Sequence, residues 1–248
     1  MLKLKDKVIV VTGGTGTIGR VLVSKFKAMK VKTRVWSSKN DIRKKNLINF
    51  DGVDYVIHLA AKMNGDKKEI YDTNVLGTRN IFDKAVEAGV KKIVYVSTVM
   101  VFADTGDQIR NEEYKKRKRD GSWYADSKIK ALRLFSEYKK RLPMVMVYPT
   151  VVLTEKKGWL RPGSLMSLVG SGGRITNYIE VNRLADLIIR SLVFGKNGQD
   201  YILGDKNIRA RDYWWPGKLI RIPNWVAKLV FDVAPSNMAF SSQKINSI

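Results

Sequence analysis

The chain has 248 residues, enough for one α/β domain with a small additional lobe and a sizeable buried core. It contains no cysteine, which excludes disulfides, thiolate metal sites and cysteine nucleophiles; no zinc spacing appears either, and a cytoplasmic location is the expectation. Lys and Arg number 46 against 23 Asp and Glu, a net charge of +23 that favours anionic partners, whether phosphorylated small molecules, a membrane surface or nucleic acid.

Residues 7–12 are an apolar, β-branched run that reads as a buried strand, and 18–29 carry Ile18, Val21, Leu22, Phe26 and Met29 at helical spacing. Between them Gly13, Gly16 and Gly19 stand three residues apart. A glycine-rich turn feeding a helix leaves the first helical N–H groups unpaired, and their partial positive charge favours a pyrophosphate. Gly13 permits the tight turn, Gly16 lets the backbone approach the phosphates, and Gly19 lets the helix pack closely on the strand. With Thr17 and Ile18 opening the helix, the stretch reads as a dinucleotide cradle.

A second strand is expected over 31–36, a short helix near 43–50, and a compact apolar strand over 54–61. A long helix follows from Glu69 to Ala88, stopped by Gly89, then a strand over 92–97. A polar, basic loop covers 103–121 and includes the run Lys115–Arg119; Trp123 to Arg141 is helical and Pro143 to Pro149 is a further strand. This alternation predicts a Rossmann-like, doubly wound parallel sheet with helices on both faces and the glycine turn at its carboxyl edge. Beyond Thr150, Gly158, Pro162, Gly163, Gly170, Gly172 and Gly173 mark loops around short elements. The expected division is a dinucleotide-binding domain over 1–150 and a small, reduced substrate-binding lobe over 151–248, interleaved with the last sheet elements. No signal-like segment opens the chain, and no apolar run approaches the roughly 18 residues of a membrane span.

Tyr124 and Lys128 lie four apart, on one face of the predicted helix. A neighbouring ammonium stabilises a phenolate, so this spacing suits a tyrosine acid/base working near neutrality. Ser97 and Thr98 end a strand at the same carboxyl edge, where a hydroxyl can bond a reacting oxygen.

Six segments recur in family order over residues 1–150: Thr12–Gly19, Asp54–Ala61, Asn74–Thr78, Tyr95–Thr98, Tyr124–Lys128 and Pro149–Thr150. In these the chain resembles the extended short-chain dehydrogenase/reductase family, the NAD-dependent epimerase/dehydratase group, and in Gly172–Val181, Leu184–Leu187 and Gly198–Gly204 it is similar to the branch with dihydroflavonol-reductase-like proteins and lipid-associated sugar epimerases. The resemblance implies that Tyr124 is the catalytic acid/base, that Lys128 holds the nicotinamide ribose and supports the phenolate, and that Thr98 binds the reacting oxygen. It further implies that Leu59, Ala60 and Ala61 line the cofactor, that Asn74 is a structural asparagine beside it, and that Pro149 ends a strand at the site. His58 belongs to the strand motif and is taken as a packing residue.

In relatives that bind NAD an acid ends the second strand; here Ser37, Ser38 and Lys39 stand there. A carboxylate repels a 2′-phosphate and Ser and Lys bind one, which favours NADP, with NAD as the alternative. The family's next strand is reduced to Asn40-Asp41-Ile42, where Asp41 and Ile42 are candidates for contact with the adenine. Val99-Met100 replace the acidic pair of the 4,6-dehydratases, leaving epimerisation or carbonyl reduction on an anionic small molecule such as a sugar nucleotide. The aromatic, basic stretch from Trp214 to Val233 raises peripheral contact with the inner membrane surface, and with it reduction of a lipid-like or polycyclic carbonyl, as the alternative. Nucleic acid is disfavoured, a non-catalytic NADP(H)-binding regulator is a further alternative, and a homodimer through the helices around 68–88 and 123–140 is what relatives lead one to expect.

Overall fold

Val8–Thr12 is five β-branched residues in succession, and it forms the inner strand β1, buried from Ile9 onward. The computed structural model describes residues 4–102, 108–114, 116, 121–154, 175–209 and 238–248. Within them follow strands β2 (Lys32–Trp36), β3 (Tyr55–His58), β4 (Lys92–Val96), β5 (Met144–Pro149), β6 (Val151–Leu153), β7 (Ile175–Glu180), β8 (Asp200–Leu203) and β9 (Lys206–Arg209). Six of them make one parallel sheet in the order β2-β1-β3-β4-β5-β8. A three-stranded sheet, β6-β7-β9, stands beyond β5, with β6 parallel and β9 antiparallel to β7.

Alternation along each strand divides the interior into two cores. Ile9, Val11, Ile57, Val94, Val96, Val145 and Val147 face one side, under α1 (Thr17–Ala28). Val10, Val56, Ile93, Tyr95, Met144, Met146 and Tyr148 face the other. That second face is covered by α2 (Lys67–Tyr71), α3 (Thr78–Glu87) and α4 (Trp123–Tyr138). Leu184, Ile188 and Leu192 of α5 (Val181–Phe194) join α1 on the first face, and a last short helix, α6 (Gln243–Asn246), leans on β8.

The expected helix near 43–50 is instead a single 3-10 turn, Lys45–Leu47. Ile48 and Phe50 turn inward there, and Phe50 stacks on Trp36 at 5.2 Å between ring centroids, which a continuous helix would prevent. No strand forms from Asn40–Ile42, so β2 is the sheet edge and three of its five residues are exposed. The helix expected from Glu69 to Ala88 starts earlier, because the Asp66 carboxylate accepts from the Glu69 N–H at 2.8 Å and caps it. It is also interrupted by one wide π turn, Asp72–Gly77, before α3 begins. Gly77 at the end of that turn lies against Ile42; a Cβ at Gly77 would come within 2.7 Å of the Ile42 side chain. The helix expected to reach Arg141 ends at Tyr138.

Gly158 to Gly173, the stretch from Trp214 to Val233, and Lys115–Arg119 except Lys116 fall outside the described residues. Lys116 does not join a solvated basic run: its Nζ pairs with Asp200 at 3.3 Å, donates to the Glu112 carbonyl, and lies over the Phe102 and Tyr148 rings. Among the described residues no helix is long and apolar enough to cross a membrane, and no His, Asp and Glu side chains gather to hold a metal.

Candidate functional site

β1 is followed by a helix on one face of the sheet and β3 by helices on the other, so the chain diverges at the carboxyl ends of these two neighbours. That divergence opens a crevice, the usual place for a ligand in an open parallel sheet. Gly13 turns into it with φ +68, and a Cβ there would come 2.9 Å from the Ala60 nitrogen. Gly13 therefore lies directly against Leu59 and Ala60, which leave β3. Gly19 closes the turn from the other side, since its Cβ would come 2.3 Å from the Gly13 carbonyl oxygen.

Helix α1 opens at Gly16 with no side-chain cap and no acid in its first turn. Its first bond runs from the Arg20 N–H to the Gly16 carbonyl at 3.0 Å, so Thr17, Ile18 and Gly19 precede the hydrogen-bonded ladder. A side chain at Gly16 would meet only the Gly13 carbonyl, at 3.2 Å, and otherwise open space. Unclaimed N–H groups, a helix dipole and backbone without Cβ atoms together fit a phosphate.

Behind this turn a buried polar relay joins β1, β3 and the π turn. Thr78 donates its hydroxyl proton to the Asn74 carbonyl at 2.7 Å, so at its 3.0 Å contact with His58 it accepts from Nε2–H. His58 Nδ1 is then the acceptor for the Thr12 hydroxyl at 2.7 Å, and the Thr12 oxygen accepts from the Ala60 N–H at 3.2 Å. The ring is stacked on Tyr95, and burial pushes its pKa down to about 3, with the Lys128 charge adding to the shift. His58 is a neutral, doubly bonded strut.

Asn74 continues the framework. Its amide accepts from the Lys62 N–H at 2.7 Å and donates to the Lys62 carbonyl and to Ser127 Oγ at 2.8 and 2.9 Å. Ser127 in turn donates to the Tyr124 carbonyl at 2.7 Å. The wide turn thus ties the segment after β3 to the first turn of α4. Ser127 went unremarked in the sequence, although it lies inside the Tyr124–Lys128 segment; its hydroxyl could have been paired with Asn74 only once both helices were placed.

Ser122 caps α4 by accepting from the Ala125 N–H at 3.2 Å, which sets the direction of Tyr124 and Lys128. Lys128 is 2% exposed, and its Nζ donates to the Val96 carbonyl at 3.1 Å, at the end of β4 and two residues before Thr98. The same Nζ lies 5.1 Å from the Tyr95 ring centroid and 6.0 Å from that of Tyr124. Thr98 is half-buried and begins a 3-10 turn, accepting from the Met100 N–H at 3.3 Å. Ser97 is buried and its hydroxyl has no hydrogen-bond partner among the described residues. The Tyr95 hydroxyl, buried two residues earlier, likewise has no partner among the described residues.

Tyr124 departs from an ordinary phenol in the free protein. Burial pushes its phenol up to about 12 and the Lys128 ammonium down to about 7. Without a ligand the surroundings penalise both charged forms, and the ammonium is directed at the Val96 carbonyl rather than at the phenolate.

Ser37, Ser38 and Lys39 form a solvent-facing turn after β2, in which the Ser37 N–H donates to Asn40 Oδ1 at 3.0 Å and Ser37 Oγ accepts from the Lys39 N–H. Asp41 is engaged by Arg43, whose Nε and Nη2 donate to it at 2.8 and 2.9 Å; that bonding holds the carboxyl below its usual range. Ile42 is buried beneath the π turn. Pro149 is buried at the end of β5 beside Leu203, and Ala61 is exposed in the segment after β3. A cavity of about 320 Å³ opens beside Tyr124, between the post-β3 segment and the start of α4.

The family model described as the NAD dependent epimerase/dehydratase family matches residues 9–204, and the chain belongs to that family. It is 28% identical over 177 residues to mouse dTDP-D-glucose 4,6-dehydratase, covering 64% of this chain and 49% of that enzyme. It is also 28% identical over 175 residues to the L-arabinose 1-dehydrogenase (NAD(P)(+)) of Haloferax volcanii, covering 61% of this chain and 66% of that one. The matched stretch thus spans about half to two thirds of these relatives. Among solved structures, a short-chain dehydrogenase/reductase superfamily protein from Agrobacterium tumefaciens with bound NAD superposes with a TM-score of 0.81 at 15% identity, covering 97% of this chain and 90% of that one. The Rossmann-like fold expected from the sequence is the observed one.

Proposed function

We propose that the protein is an NAD(P)-dependent oxidoreductase or epimerase whose substrate is a sugar nucleotide. The single observation that carries the proposal is the meeting at one sheet edge of the uncapped α1 terminus, the Lys128–Val96 bond and the Tyr124 side chain. A structural reading of these residues leaves the buried Lys128 amine and the orphaned Ser97 hydroxyl unexplained. The relatives' names supply the substrate class, a nucleotide-linked hexose in one and a sugar in the other.

The α1 N–H groups behind Gly13, Gly16 and Gly19 receive the pyrophosphate, and Leu59, Ala60 and Ala61 form the wall beside it. Ser37, Ser38 and Lys39 offer hydroxyls and a cation without a carboxylate, which suits the 2′-phosphate of NADP; NAD is the alternative. When bound, the nicotinamide accepts or donates hydride. The Tyr124 hydroxyl gives or takes the proton on the reacting oxygen, Thr98 donates a hydrogen bond to that oxygen, and Lys128 binds the ribose and stabilises the phenolate. Val99-Met100 after Thr98 supply no acid for elimination of water, which favours epimerisation or reduction over dehydration.

Tyr124→Phe tests the assignment. NADPH oxidation against a panel of 4-keto sugar nucleotides is expected to fall by about 10²–10⁴-fold while NADPH affinity stays within about twofold. Full turnover in the variant would remove Tyr124 from the chemistry.

A further inference from the structure

Among the described residues one large side chain at the site stands outside both hydrophobic cores. Trp123 is the first helical residue of α4, is 51% exposed, and belongs to neither hydrophobic core. An indole is an expensive residue to leave in water, and a buried one normally finds a partner for its N–H. Met63, 38% exposed, faces the same cavity from the segment after β3. Ile70, Asn64, Ser122 and Tyr124 also line it, adding an apolar side chain, an amide and two hydroxyls.

The orientation of Trp123 is set. Ser122 caps the helix through the Ala125 N–H, and Ala125 is fully buried, so the first turn of α4 is anchored on one side and Trp123 is directed to the other. Tyr71 adds a second tether by donating its hydroxyl hydrogen bond to Asp126 from α2. Met63 is held from below, because both backbone groups of its neighbour Lys62 are bonded to the Asn74 amide. The two exposed apolar side chains therefore flank the cavity from rigid supports.

We infer that Trp123 is a substrate-stacking residue: its indole and the Met63 thioether receive the apolar C–H face of a hexose ring, while Asn64 and Ser122 bond the ring hydroxyls. Among the described residues the lining suits a sugar better than a lipid-like carbonyl. A lipid tail calls for a continuous apolar wall, whereas here the aromatic face is one element among an amide, a hydroxyl and exposed backbone at Gly65 and Gly121. This inference rests on the proposed sugar-nucleotide reading and names the residue that reads the sugar rather than the nucleotide.

The test is a calorimetric titration of the NADPH-loaded protein with dTDP-glucose and with dTDP. The wild-type protein is expected to bind dTDP-glucose at least about tenfold more tightly than dTDP, a preference equal to about 1.4 kcal/mol. Trp123→Ala is expected to bring that ratio close to one, and Trp123→Phe to keep most of it. NADPH affinity unchanged in both variants shows that the site remains folded. A preference left intact in Trp123→Ala overturns the stacking role and leaves the sugar-nucleotide reading in place. Equal binding of dTDP-glucose and dTDP by the wild-type protein overturns the hexose assignment itself, while the NADPH affinity and the Tyr124→Phe result continue to judge the broader reading separately.

Discussion

Two buried bases lie close to the same sheet edge, His58 in the β1–β3 crevice and Lys128 where α4 meets β4, and burial depresses both pKa values. Their surroundings differ. Both His58 nitrogens are bonded to hydroxyls that are themselves committed, Thr12 to the Ala60 N–H and Thr78 to the Asn74 carbonyl. Among the described residues the Lys128 amine has one hydrogen-bond acceptor, the Val96 carbonyl, and the neighbouring Ser97 hydroxyl has no partner. A saturated buried network stabilises one arrangement and has nothing left for a ligand. An undersaturated one carries a desolvation cost that a ligand can relieve. The first region is framework and the second is where chemistry is expected, although His58 is the residue type more often associated with proton transfer.

The comparison breaks most severely at the cradle. Gly19→Ala places a methyl against the Gly13 carbonyl and the Gly14 backbone, which are not flexible side-chain ends. A loss of more than about 4 kcal/mol in unfolding free energy is expected, together with loss of NADPH binding, read by urea denaturation and cofactor fluorescence. A variant that kept wild-type stability would show that the framework has slack.

Lys128→Met sharpens the second region. The folded pKa of about 7 lies below the ordinary 10.5, so between these values the unfolded chain binds the extra proton and stability rises with pH. The wild-type unfolding free energy, relative to Lys128→Met, is expected to increase by up to about 1.4 kcal/mol per pH unit from about pH 7 to 10. A flat difference would mean that the amine is not desolvated.

His58 gives the smallest effect and the cleanest one, because it is the only histidine in the chain. Its folded pKa of about 3 lies below the unfolded 6.5, so the unfolded chain takes up a proton first as pH falls. Stability is expected to drop by about 1.4 kcal/mol per unit from pH 6.5 toward 5, before the carboxylates titrate, and the imidazole NMR resonances should stay those of the Nε2–H form to pH 4. Titration near 6.5 in the folded protein would dismantle the relay.

Much of the architecture was legible because burial on both faces leaves long β-branched runs, as in Val8–Thr12, and because glycine spacing encodes backbone that no side chain tolerates. Tyr124, Lys128 and Thr98 were legible as an ordered set. The π turn was not, because the contacts its residues make, Gly77 against Ile42 and Asn74 with Lys62 and Ser127, join residues far apart in the chain. Nor was the helix near 43–50 correctly foreseen, since the stacking of Phe50 on Trp36 overrides local propensity.

By itself the amino-acid order determined the sheet, the crevice and the identity of the groups at its edge, because periodicity and glycine placement are local properties. Only the tertiary structure decided the protonation of those groups and the standing of Trp123. A pKa depends on what is packed around a side chain, and exposure depends on which core leaves it out; burial raised Tyr124, lowered Lys128 and left an indole facing the cavity beside them.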